Sequence, residues 1–432
     1  MINHPQKLMS LVFPSQFISV VQTWDDILVP SRSQSMKLIQ HGKLWTSWIH
    51  CAINYRQFEA AHDEFWDFLE SGGSIRERNA SWLAIYFALL AAAILTSDED
   101  NMDPSILPHM SGNLNSLMHN WYSASLYCLE VANYTRSSEF MHVQAIGILQ
   151  MCCNAVGDIV FRNRMMAIGL GIANDLGLPY KVGAEHSLVD AEVSRRLWWV
   201  FVIGEWLNPA THRPSISEEH FDMALPQPLD DNDLERGDIS IEISPNMVSP
   251  WWYHVILCKT ALVHRDFTQG IRKKDTDLEV LVRIADEGLA NIIESLPDYL
   301  QPLEEGSPHS TDLEDQYPWI RWQRVDLIMI LLLLRSRINY ECRGFWSNSP
   351  PTSMPRRALC LQSARTYTLR LYGAGLIIAS EIPRSVGEDE SSDLLNSLLS
   401  CIQLLEQSKN LNIVAEKAVE HLRSFLLRIN DR

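Results

Sequence analysis

The sequence predicts an all-α protein, a large multi-helix bundle. Nearly every apolar segment recurs at helical spacing or has helical length, with Leu, Ala, Met, Glu and Arg prominent. Alternating Val/Ile/Thr runs and Asn-Gly hairpins are absent. With 432 residues, 46% of them hydrophobic, the chain is long and apolar enough to bury a core without staples.

Taken in order, Leu44 to Glu70 sets Trp45, Trp48, Ile49 and Ala52, then Phe58, Phe65 and Phe68, on recurring faces, with a break near Asn54-Tyr55. The next helix, Arg76 to Leu95, holds the longest apolar run, 14 residues from Trp82. A membrane span needs about 18, so this run reads as a buried core helix. Acids and prolines mark a loop over Thr96 to Asn113. Three helices follow, Leu114 to Asn133, Ser137 to Asp158 and Val160 to Leu176. The third stops at Gly177, with Pro179 beyond, because glycine accepts a left-handed backbone and proline cannot continue the ladder. Asp190 is expected to cap a helix running to about Leu207, with Asp190 and Glu192 at its positive end. A polar region covers Asn208 to Pro250. Further helices are expected over Trp251 to Gly270, Asp275 to Ser295, Tyr317 to Tyr340, Pro355 to Ser380, Ser391 to Leu404 and Asn412 to Ile429. Loops over Gln301 to Gln316 and Ser347 to Ser353 separate them, and no fixed-period repeat or low-complexity tract occurs.

The formal charge of −17 repels phosphate, so a nucleic-acid role needs a local basic island. The candidates Arg272-Lys273-Lys274 and Arg356-Arg357 are short and read as solvated faces. Eight cysteines lack any C-x-x-C, which argues against a zinc cluster or disulfide framework and fits a reducing compartment. Cys152-Cys153, inside a Met/Ile/Leu-rich segment, reads as a pair of small buried hydrophobes rather than a redox couple. The N-terminal "MINHPQKLMSLVFPSQ" has neither the leader nor the cleavage site of a signal peptide.

In "EVSRRLWWVFVIGEW", Leu197, Val200, Phe201, Gly204 and Leu207 form one apolar stripe, and Trp198 extends it to a neighbouring face with Val202. A helix apolar around so much of its girth belongs inside a bundle. Arg195 and Arg196 stand near its positive end, so a carboxylate such as Glu192, or an acid from elsewhere, is expected to hold them.

The ordered strings "MMAIGLGIANDLGLP", "EVSRRLWWVFVIGEW", "HRPSIS" and "ALPQPLDDND" resemble the fungal-specific transcription-factor domain, the middle homology region of zinc binuclear cluster regulators. "SWIHCAINYRQFEAAHDEFW" and "ASWLAIYFALLAAAIL" upstream, and "RWQRVDLIMILLLLRSRIN" and "CLQSARTYTLRLYG" downstream, resemble its flanking helices, so the likeness spans roughly Ile49 to Gly373. It implies an α-helical regulatory module tied to ligand or partner response and to masking of activity. Under it, Arg195, Arg196, Trp198, Trp199 and Arg213 are the expected ligand-cavity or scaffold residues. Two departures matter. The cysteine-rich cluster is missing, and with it that route to sequence-specific DNA contacts; the alternative to its loss is a misassigned start, with the cluster encoded upstream of Met1. His212 stands where the family has glycine before Arg213-Pro214, which calls for a different turn, and Glu205 stands where Asp is common.

An alternative chemistry starts from "HDEFWD". Asp63 and Asp67, one helical turn apart, have the spacing with which a class I terpene cyclase presents carboxylates to magnesium and diphosphate. The second magnesium motif is absent, since "NDLGLPYKV" has Leu178 and Val182 where a hydroxyl and a glutamate are required. The plainer reading is a solvated helix edge with Phe65 and Trp66 turned inward. "LDDNDLERGD" lacks the glycine and final glutamate of a calcium loop and reads as a solvated acidic loop. "GLGIAN" at Gly169 lies within a helix rather than after a strand, and His212 with His220 lacks further ligands at metal spacing.

The expected function is therefore a transcription-factor-like regulator of a metabolic or secondary-metabolite pathway, nuclear, without a metal or cofactor. It would act through proteins of the transcription machinery or a small apolar ligand, with a homodimer as a candidate assembly and neither specific DNA nor membrane as partner. The alternative is a cytoplasmic biosynthetic enzyme on the same scaffold, acting on a terpenoid or polyketide with magnesium at Asp63 and Asp67. The expected organisation is an N-terminal extension over 1–43, the helical domain over 44–380 and a helical tail over 381–432.

Overall fold

The computed structural model describes residues 19–96, 114–156, 158–180, 187–207, 215–217, 219, 221–236, 247–273, 277–301, 311–341, 379, 395, 398–399, 401–402, 405–406 and 413–430. Helices build it, and no strand occurs among the described residues, as the all-α reading expects. No described helix is long and apolar enough to cross a membrane. The chain divides into two compact units, Met1–Val255 and Ile256–Arg432.

The first unit contains α1 (Arg32–Trp45), α2 (Ser47–His50), α3 (Tyr55–Glu70), α4 (Ala80–Leu95), α5 (Leu114–Val131), α6 (Phe140–Ala155), α7 (Ile159–Asp175), α8 (Leu188–Trp206) and α9 (Asp231–Arg236). Its centre is α4, on which α1, α5 and α6 all pack. Every residue from Leu83 to Ile94 is buried, because a helix apolar on all sides has no face to give to water. Its few polar groups find partners: Tyr86 Oη lies 2.8 Å from Ser35 Oγ, and Ser125 Oγ donates to Ala84 O at 2.7 Å.

Three expectations need correction. The α8 cap is Ser187, not Asp190: Ser187 Oγ accepts from Asp190 N at 3.0 Å and donates to the Asp190 carboxylate at 2.7 Å. An acid three residues past a cap suits the helix dipole as well as one at the cap, which is why the two positions look alike in a sequence. "LDDNDLERGD" is not a solvated loop over its first half: Asp230 caps the short α9, and Asp231 turns inward. The stretch 301–316, read as loop, ends in the helix Thr311–Gln316, anchored by an ion pair from Glu314 to Arg324.

Part of the stretch expected as an N-terminal extension forms α1, in which Ser35, Leu38, Ile39 and Gly42 are buried at helical spacing between polar neighbours. Ser31 caps it together with Gln34. The expected break at Asn54 is the cap of α3, and the Gly177 stop holds, with φ at +73°. The first glycine of "GLGIAN" has a packing role: a Cβ at Gly169 would lie 2.6 Å from the Phe201 ring, and, on α6, one at Gly147 would lie 3.0 Å from Leu197 Cδ1. Both let α8 approach α7 and α6 closely.

In the second unit, most of α10 (Trp252–Arg272) is followed by α11 (Leu278–Glu294), α12 (Thr311–Gln316), α13 (Trp319–Tyr340) and α14 (Ile413–Asn430). Arg335 on α13 forks onto Asp286 of α11 with two bonds of 2.9 Å, and Asn339 donates to the same carboxylate. The expected loops Thr96 to Asn113 and Ser347 to Ser353, and the helices Pro355 to Ser380 and Ser391 to Leu404 with Arg356-Arg357, lie wholly or largely outside the described residues. Six described cysteines, including Cys152 and Cys153, are buried outside any disulfide, and burial pushes the Cys153 thiol up to about 12.

Burial also pushes His50 and His254 down to about 3 and His62 to about 4, from an ordinary 6.5. Below pH 6.5 the unfolded chain takes up protons that these folded imidazoles refuse, so their contribution to stability is complete above that pH and lost as pH falls. Each costs on the order of 1 kcal/mol by about pH 5.5. Chemical denaturation at pH 7.5 and pH 5.5 should show a loss of several kcal/mol, and equal stability at the two values would contradict this account.

Candidate functional site

The double-tryptophan motif does its work along one side of α8. Glu192, Arg196, Trp199 and Trp206 stand at helical intervals on that side, and each hydrogen-bonds the backbone of the segment that follows the helix. Trp206 Nε1 donates to Ile216 O at 3.1 Å, and the Glu205 carboxylate accepts from Ile216 N at 2.8 Å and from Ser215. Trp199 Nε1 donates to Ala224 O at 2.8 Å. Glu192 Oε1 accepts from Gln227 N at 2.8 Å, and Arg196 Nη2 donates to Leu229 O at 2.6 Å. The polar segment is thereby strapped back along the helix it leaves. Phe221 fills the space between the indoles, with ring centroids 5.5 Å from Trp198, 5.8 Å from Trp199 and 6.0 Å from Trp206.

Arg196, 1% exposed, is the node. Its Nε meets Glu192 at 3.2 Å, its Nη1 reaches Asp231 at 3.5 Å, and its guanidinium carbon stands 3.7 Å from the Trp251 ring centroid. The imidazole of His254 donates to the Arg196 carbonyl at 3.1 Å. Asp231 also accepts from Tyr55 N at 3.2 Å, so it closes the start of α3 as well. Burial raises the Asp231 carboxyl, and the Arg196 charge pulls it back down. Arg195 pairs with Glu192, as the spacing predicts, and Asp231 is the acid from elsewhere.

Trp198 and Trp199 are each 2% exposed. The structure thus buries Arg196, Trp198 and Trp199, with Arg195 half-buried beside them on Glu192; Arg213, His212 and His220 lie outside the described residues. Asp63 and Asp67 sit elsewhere, on an exposed edge of α3, where Arg32 of α1 bridges them at 3.1 and 2.8 Å and adds Glu70 at 3.0 Å. Phe65 and Trp66 point inward between them. Among the described residues no group of three or more His, Cys, Asp or Glu side chains is placed to hold a metal ion. Asp231 and Gln227 were invisible to sequence reasoning as partners, because they stand 35 residues from Arg196 and Glu192.

Replacing Arg196 by Met should destabilise the protein by about 3–5 kcal/mol, since it leaves the half-buried Asp231 without its counter-charge and the buried Glu192 with Arg195 alone. Adding Glu192→Gln to Arg196→Met should return part of that loss in urea denaturation, whereas strictly additive losses would show that the two side chains act independently.

No known family profile matches the chain. It is similar to a protein named "Probable transcription factor lepB" from Aspergillus flavus, 27% identical over 267 residues, which is 57% of this chain and 47% of that protein. The chain thus spans about half the length of the curated relative it matches. This likeness relates the chain to a fungal transcription factor.

Proposed function

We propose that this chain is a helical regulatory module of the fungal-specific transcription-factor type, acting in the nucleus through protein contacts or a small ligand rather than by gripping DNA. The observation that carries the reading is the α8 strap. The residues of the Glu-x-x-Arg-Arg-x-Trp-Trp motif and of the Leu-Pro-x-Pro stretch that prompted the resemblance are partners of one another: Glu192 and Arg196 hold Gln227 and Leu229. The motif pair is thus one spatial unit, and the likeness to a protein named as a probable transcription factor supports the reading. The charge of −17 favours protein or small-molecule partners over phosphate backbones.

Fused to an unrelated DNA-binding domain in a fungal reporter strain, the chain should change transcription from the cognate promoter several-fold, and a tagged copy should accumulate in the nucleus. The same chain alone should give no sequence-specific gel shift at physiological salt. A silent fusion, or a specific zinc-dependent shift, would overturn the proposal.

A further inference from the structure

Residues 19–30, ahead of α1, have no regular structure beyond a 3-10 turn at Trp24–Asp26. Helix α5 holds them as a receptor holds a peptide, by the main chain. Both ends of the Asn120 carboxamide take part: Oδ1 accepts from Leu28 N at 3.0 Å, and Nδ2 donates to Asp26 O at 2.8 Å. Trp121 Nε1 donates to Leu28 O at 2.7 Å, and Ser123 Oγ accepts from Val20 N at 3.2 Å. None of these bonds depends on which side chains the segment carries, so selectivity has to come from other contacts.

Three features supply it. The Trp24 ring meets Tyr127 of α5 edge-on, with centroids 5.2 Å apart. Asp25 pairs with Arg76 from the turn before α4. Val21 and Ile27 are buried. The segment also shapes itself: the Asp26 carboxylate accepts from Thr23 N at 2.8 Å, Thr23 Oγ1 at 2.9 Å and Gln22 N at 3.0 Å, so the turn is made by its own residues. Its hold on α5 is nevertheless partial, because Val20, Leu28 and Val29 turn to solvent, 53%, 47% and 38% exposed. Departure is also tolerable for α5. Asn120, Trp121 Nε1 and Ser123 point at the place the segment occupies, and water entering there can take over their bonds.

We propose that this face of α5 is a peptide-recognition groove, that residues 19–30 are its built-in ligand, and that an extended segment of a partner protein enters by displacing them. The partner segment repeats the pattern of Val21, Trp24-Asp25 and Ile27: an apolar residue, an aromatic residue followed by a carboxylate, and a second apolar residue at the same spacing. Its carboxylate meets Arg76 and its aromatic ring meets Tyr127. This goes beyond the regulatory reading and is measured by binding to the chain alone.

The probe is a fluorescent peptide of residues 19–30, titrated by anisotropy into the full chain. Unmodified, the chain competes through its own segment at about millimolar effective concentration, so the peptide binds weakly. The double variant Trp24→Ala/Asp25→Arg loosens that segment at two residues that are not buried, which spares the fold. It should bind the peptide at least tenfold more tightly, with a dissociation constant at or below about 100 μM. Adding Asn120→Ala to this variant should weaken the peptide at least tenfold. Where Asn120→Ala does not fold, Tyr127→Ala, at a half-buried position, decides: the native peptide and its Trp24→Ala form should then bind alike, whereas with Tyr127 present the native form binds several-fold more tightly. Failure of the loosened chain to bind the peptide, equal binding of a scrambled peptide, or a native preference that survives Tyr127→Ala would overturn the proposal. So would a dimer of the unmodified chain that Trp24→Ala abolishes, since the groove would then serve a second copy. None of these outcomes alters the reporter result, so the groove and the regulatory role fail separately.

Discussion

A guanidinium sealed inside the helical unit sets the terms for everything around it. Arg196 carries a full positive charge where water cannot reach, and such a charge is tolerable only when counter-charges and hydrogen-bond acceptors surround it. Its partners come from four places in the chain: Glu192 one turn back, Leu229 in the returning segment, Asp231 at the start of α9, and Trp251 just before α10. Removing the guanidinium would take a partner from all four at once. Asp231 extends the constraint to the first amide of α3, so the position of that helix is tied to the same charge.

A pattern of small and large residues complements this polar node. Leu197 and Phe201, on α8, meet the glycines of α6 and α7, so the helix is close-packed on its apolar side while its other side is held by directional bonds. The two kinds of contact do different things. Close packing supplies most of the stabilisation, and the indole and carboxylate bonds choose one path for the polar segment among many that would bury similar area.

Length made α4 legible, because 14 consecutive apolar residues from Trp82 are too many for one strand and too few for a membrane span. Local chemistry made Gly177 and the Glu192 pairings legible, since both depend on residues within one turn. The start of α1 escaped because its buried face is only Ser35, Leu38, Ile39 and Gly42 in a polar setting, and Ser35 is buried for its bonds to His62 and Tyr86 rather than for any apolar surface. Asp231 escaped because an acid in an acidic run advertises solvent, and only the fold reveals a cation facing it. Asn54 was legible as a break and silent as a donor: a capping asparagine looks the same in sequence whether or not its amide nitrogen is paired.

The seats that Gly147 and Gly169 provide also have a mechanical meaning. Rings and methyls lodged in notches resist both rotation and axial sliding, since either displacement drives Phe201 and Leu197 into backbone that has no clearance. Helix α8 therefore behaves as a keyed shaft. Its fastening to the returning segment, by contrast, is a row of separate hydrogen bonds that can open one after another. Where this unit transmits a signal, the compliant part is the strap, and the shaft is the fixed reference against which its movement registers.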